Sequence, residues 1–252
     1  MSSSLDALSP RVATLAAAVL TSCLAVLGGI GIVAMDFAFQ WEPVPAGVPA
    51  RGVLAVVAGG LQIVPFVLFV RGRDPALAFR AVAAVFLAWM ALHVPDVLAH
   101  PGSVGAWLGV AESGSMACAG LIGASGGGGL VGRVVFALFG LALMVFGLAH
   151  FAYADFTASM IPAWLPRRVA LAWFTGAAHF AAGVAVLVNV WRPRAAALEA
   201  LMMGGFVVLV HVPRVLAQPA SRMEWTMSLV AAMLCSSALI VAQAAGRRRG
   251  RA

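Results

Sequence analysis

The residues able to do chemistry are few. The 252-residue chain has five histidines and nine carboxylates, and several fall where polar groups are expensive. His150 closes one long apolar run. His179 stands about 11 residues into another, roughly 16 Å deep at 1.5 Å per residue. With Asp155 at the mouth, His150 and His179 could relay a proton between water and a buried pocket, or they could only join helix to helix. His93 and His211 share the context His-Val-Pro. Each proline frees a carbonyl four residues upstream, which a polar side chain or water can satisfy. These two histidines therefore read either as helix-closing polar groups or as a pair facing a ligand such as a quinone carbonyl. Glu112 lies a third of the way into an apolar segment, where a lone carboxyl is protonated, paired or reached by water. No catalytic residue can be assigned from these types. Cys23, Cys118 and Cys235 are scattered, with no C-x-x-C for dithiol chemistry. No metal site is expected, and haem would need pairs of well-buried histidines on two helices, which the pattern does not offer.

The elements that position these groups are membrane helices. Mean hydropathy is +1.01, 63% of residues are hydrophobic and 10% are charged, too little charge to cover a soluble domain. Five uncharged apolar stretches (12–35, 52–70, 134–154, 169–191 and 225–246) each match the roughly 20 residues that cross a bilayer as a helix. They are continuous and do not alternate, which argues against barrel strands. Three more, near 77–98, 103–124 and 195–217, carry charges inside or at their ends. The expected fold is all-α: a polytopic integral membrane protein with eight transmembrane helices.

These eight divide into two parallel four-helix repeats. Pro45 and Pro49 correspond to Pro162 and Pro166, Gly59 to Gly176, and Gln62 to His179. His93-Val94-Pro95 corresponds to His211-Val212-Pro213, and Trp107 to Trp225, at an offset of 117 and then 118. The expected organisation is a first repeat over 1–125, a Gly-rich linker over 126–133 and a second repeat with a basic tail over 134–252. The G-x-G-x-x-G at Gly127, Gly129 and Gly132 follows no strand, so it does not read as a dinucleotide site. All 16 cationic side chains are Arg. Placed along the eight spans, they divide eleven to five, which predicts cytoplasmic N- and C-termini by the positive-inside rule. The basic balance then reflects topology and contact with the lipid bilayer, with no nucleic-acid partner expected.

Charges at the ends of helices 3 and 7 swap sign between the repeats. Arg80 and Asp96 bound one, Glu199 and Arg214 the other. If those helices flank the pseudo-twofold axis, Arg80 would pair with Glu199 and Asp96 with Arg214. Independent snorkelling to water is the alternative.

The second repeat resembles the DoxX-like family of small four-helix membrane proteins. The resemblance rests on Gly147-Leu148-Ala149-His150-Phe151, Ile161-Pro162-Ala163-Trp164-Leu165-Pro166 and Thr175-Gly176 with Gly183, and it covers roughly 134–244. The first repeat keeps the prolines and Gly59 but has Ala58 where the second has Thr175. Many members carry an acidic residue three after the glycine; here His179 and Gln62 stand there. The resemblance implies a bacterial inner-membrane bundle, in some members linked to quinone-dependent oxidation of sulfur compounds or to oxidative-stress complexes. The function expected is the handling of a small apolar or redox-active ligand, with quinone the candidate cofactor, as a membrane subunit of a redox partner. His150 and His179 would be the polar groups, and Trp164 with the Pro162/Pro166 loop the lid. Two other readings stay open: a carrier of a lipid-like molecule without chemistry, and a scaffold for a partner enzyme.

Overall fold

A computed structural model describes residues 9–72 and 74–249; Arg73 and the tail from Gly250, with Arg251, lie outside them. The described residues form helices joined by loops, with no strand. The long helices are α1 (Pro10–Ala34), α2 (Arg51–Arg71), α3 (Pro75–Ala99), α4 (Val104–Ser125) and α5 (Gly129–Ala152). A short α6 (Ala154–Met160) precedes α7 (Arg168–Leu187). Helix α8 (Arg192–Phe206) passes through a π-turn at Val207–His211 into α9 (Val212–Ala217), and α10 (Arg222–Arg249) completes the chain. Among the described residues seven helical segments are long and apolar enough to cross a membrane: α1, α2, α3, α5, α7, the continuous 192–217 unit and α10. The chain is thus a helical membrane protein. Helix α4, with Glu112, Ser113 and Ser115, is the long helix outside that set.

Local signals set the helix starts. Ser9, Asp74 and Ser103 cap α1, α3 and α4 with side-chain oxygens that accept the free N–H of the first turn, and Pro10 and Pro75 open their helices where no N–H is needed. The Trp107 indole donates to the Pro101 carbonyl and the Trp225 indole to the Pro219 carbonyl, both at 2.9 Å. One six-residue clasp therefore opens both α4 and α10.

Without water to drive helices together in lipid, close backbone approach must do so. Glycines supply it. A methyl group on Gly28 would lie 2.5 Å from the Gly59 carbonyl oxygen, locking α1 to α2. One on Gly147 would lie 2.7 Å from the Gly176 carbonyl oxygen, locking α5 to α7 in the same way. Helix α3 packs on α4, and α8 on α10. The halves meet where α1 lies on α10, α4 on α5, and α4 on α10.

That arrangement corrects the expected ion pairs. Helices α4 and α10 occupy the junction in place of α3 and α8. Glu199 bonds His179 instead of Arg80, Asp96 bonds His100 one turn along its own helix, and Arg214 forms a forked pair with Glu224 at 2.8 and 2.6 Å. An ionic link between the halves forms elsewhere among the described residues. Arg222 donates to Asp36 at 2.9 Å, Asp36 also takes Arg51, and the Arg222 guanidinium lies over the Phe39 ring.

Candidate functional site

A cavity of about 260 Å³ opens among α4, α5, α6, α7, α8 and α10, near the end of the bundle that carries α6. Its walls are mostly apolar, with Phe146, Phe206, Met203, Met160 and Leu234 among them. Into this lining come His150, His179, His211, Glu112, Trp41, Tyr153 and Thr175. A mainly apolar pocket with a few convergent polar groups is the usual form of a small-molecule site.

Each polar group has a structural reason to be there. Gly147 lets α5 and α7 touch, which brings His150 and Thr175 together: His150 Nδ1 is 2.8 Å from the Thr175 hydroxyl. That hydroxyl is also 3.0 Å from the Leu171 carbonyl. His179, 1% exposed, shares a 2.8 Å bond from Nδ1 to Glu199 Oε1, and Glu199 is equally buried. A carboxyl group bonded to one imidazole nitrogen fixes the ring's orientation. The His150 and His179 rings meet edge to face with centroids 4.9 Å apart, and Phe206 stacks on His150. The Tyr153 hydroxyl accepts the Gly105 N–H at 3.1 Å, tying the end of α5 to the start of α4.

His211 and His93 hold equivalent places in the sequence and different places in space. Pro213 offers no N–H to the helix, and the chain widens into a π-turn over Val207–His211, a distortion often found at functional sites. His211 lines the cavity, with Nδ1 buried and without a partner. Around Pro95 the helix stays regular. His93 is packed instead against Gly109 of α4, where any side chain would strike its ring, and it does not reach the cavity. Asp155 and Trp164 do not reach it either. Asp155 is exposed on α6, and Trp164 is 69% exposed. Phe156, Thr157, Met160 and Ile161 form the wall expected of the Trp164 loop, because α6 turns its own face inward before the prolines begin.

Sequence reasoning missed Trp41, Tyr153 and the pairing of Glu199. Glu199 reads as a helix-end charge, yet seven residues into α8 it lies about 10 Å from that end, deep enough to meet His179. A second missed signal is the Asp-Phe pair that occurs at Asp36-Phe37 and again at Asp155-Phe156. Phe156 is 63% exposed at the cavity mouth, whereas Phe37 is 3% exposed and set edge to face on Trp89. In the first half the 36–44 segment folds inward. Glu42 accepts the Ala38 N–H at 2.7 Å and an N–H of Gln62. Gln62 thus meets a carboxylate as His179 does, but from a loop that fills the space. Trp41, carried on this segment, reaches across to the cavity with its indole N–H buried.

Burial raises the Glu42 carboxyl pKa above its ordinary value, against the lowering pull of the Ala38 N–H, Gln62 and Arg222. An acid whose pKa is higher folded than unfolded stabilises the fold most fully below the unfolded pKa. It loses that contribution as pH rises through the folded one. Amide exchange over Phe37–Glu42, corrected for intrinsic rates, should therefore become less protected as pH rises through that raised pKa. Glu42→Gln should flatten the dependence; an unchanged slope in the variant would disprove the assignment.

Among the described residues no group of three or more His, Cys, Asp or Glu side chains is arranged to hold a metal ion. Compared with known proteins, the chain matches no family model, no curated protein and no solved structure.

Proposed function

We propose that this is a DoxX-like inner-membrane protein that holds a small, largely apolar ligand of the quinone class between its helices, as the membrane subunit of a redox partner. One observation carries the reading. Three histidines and a carboxyl, drawn from both halves, converge on a single, mainly apolar cavity. A quinone has the matching form, an apolar ring with carbonyl oxygens that need donors.

The proposed architecture is eight spans in two parallel four-helix repeats, with α4 as the eighth; its 22 residues span about 33 Å. The paired Gly28–Gly59 and Gly147–Gly176 contacts and the twin tryptophan clasps support the duplication. Both termini would lie on the cytoplasmic side, with the cavity towards the outer leaflet. A scaffold needs no such cavity. A carrier of lipid-like molecules would use it without redox chemistry, and the test separates the two.

Protein purified in mild detergent is extracted with organic solvent and its optical spectrum recorded with and without borohydride. A quinone absorbance that bleaches on reduction is expected, together with saturable binding of a short-chain benzoquinone. Lipid without a redox-dependent absorbance, and no benzoquinone binding, would favour the carrier and overturn the quinone reading.

A further inference from the structure

From the hydrogen bonds behind His150 and His179 we infer that the cavity presents one donor and one acceptor side by side, and so selects the reduced, hydroxyl form of its ligand over the carbonyl form. The inference rests on the quinone reading and specifies which redox state the site is built for.

The polarity of each ring is set from behind. The Thr175 hydroxyl has one hydrogen. It lies 3.0 Å from the Leu171 carbonyl and 3.1 Å from the Ala172 carbonyl, which can only accept. Having donated there, Thr175 can only accept from His150, at 2.8 Å. His150 Nδ1 therefore carries the hydrogen, and Nε2 of the neutral ring is left as an acceptor. His179 is set the opposite way. Its Nδ1 is bonded to a carboxyl with 1% exposure. An unbalanced carboxylate at that depth is costly, so the pair holds a proton in the bond between them. Whichever atom of that bond holds it, Nε2 keeps its own hydrogen and is a donor.

The two rings are 4.9 Å apart, are joined by no hydrogen bond between them, and line the same cavity. A ligand hydroxyl satisfies both at once, accepting from His179 and donating to His150. A carbonyl oxygen accepts from His179 but meets the lone pair of His150. Thr175 and Glu199 are positioning residues in this scheme, because they act on the ligand through the histidines. Thr175 has no counterpart in the first half, where Ala58 stands, and Gln62 replaces His179, so the device belongs to the second half alone.

The test uses the full chain in phosphatidylcholine nanodiscs. A short-chain benzoquinol, kept reduced with dithionite, should bind at least about tenfold more tightly than the matching benzoquinone. Thr175→Val keeps the side-chain shape and frees the His150 tautomer; it should cut that preference to about threefold or less, chiefly by weakening quinol binding. Equal affinities in the unmodified protein, or a preference for quinone, would overturn the inference and leave the ligand class standing. Failure of both forms to bind would refute the ligand class itself. A ligand-free measurement keeps the two apart. In nitrogen-15 spectra of histidine-labelled protein, with signals assigned by His150→Asn and His179→Asn, His150 should show a bare Nε2 and His179 a protonated one. A protonated Nε2 on His150 would also overturn the inference.

Discussion

Replacing His179 with leucine is expected to destabilise the folded protein by about 3–5 kcal/mol. The residue is 1% exposed, and its Nδ1 makes a 2.8 Å bond to Glu199, itself 1% exposed. Leucine has similar bulk but no nitrogen. It leaves a carboxyl buried at mid-helix depth with one oxygen stripped of its bond and the other, Oε2, already without one. Burial of an unpaired ionisable group is among the few single changes that cost this much. The prediction has a second half that removal of bulk alone would not produce. Changing Glu199 to leucine as well removes the orphaned carboxyl, and the double variant should regain most of the loss, since a buried pair replaced by apolar residues is often close to neutral. Reversible unfolding in mixed micelles, followed by tryptophan fluorescence, gives the full double-mutant cycle. A single-variant cost below about 1 kcal/mol, or strictly additive losses, would show that the pair is not the buried interaction described here.

Val230→Trp is expected to weaken binding of a short-chain benzoquinone by about a hundredfold or more while the bundle stays folded. Val230 lies on α10, lines the cavity and is 3% exposed. Glu112 lines the same cavity from α4. An indole there projects into space that is already open, so it competes with the ligand for volume. A bound ring and the indole would compete for one cavity of about 260 Å³, and loss of that volume removes the apolar contact as well as access to the histidines. Binding is read by equilibrium titration in nanodiscs, and folding by helical content and the unfolding midpoint. Undiminished binding in a folded Val230→Trp protein would place the ligand elsewhere.

Parts of the site were legible in the chain because depth along a helix can be counted. His150 and His179 stand out as histidines inside apolar runs, and both reach the cavity. Glu112 stands out in the same way and is also there. Counting failed where position depends on a neighbouring helix. Arg80, Asp96, Glu199 and Arg214 have complementary signs, but sign says nothing about distance. With α4 and α10 at the junction, Glu199 faces His179, and Arg214 faces Glu224 at the start of α10. Trp164 was misread for a related reason. An aromatic residue between two prolines suits a lid, yet the short α6 supplies the wall before the chain reaches it.

The amino-acid sequence by itself determined that this chain is helical and membrane-bound. Continuous apolar runs of bilayer length leave backbone groups no partner except their own helix, so that outcome needs no long-range information. The pattern of prolines, glycines and tryptophans also points within the chain to a duplication. Only the tertiary structure decided which half kept an open site. The same His-Val-Pro produces a π-turn that aims His211 at the cavity and a regular helix that buries His93 against Gly109. The space around Glu42 and Gln62 is filled, whereas His179, held by Glu199, lines an open one. These outcomes turn on small differences in packing between helices far apart in the chain, and local residue pattern carries no term for them.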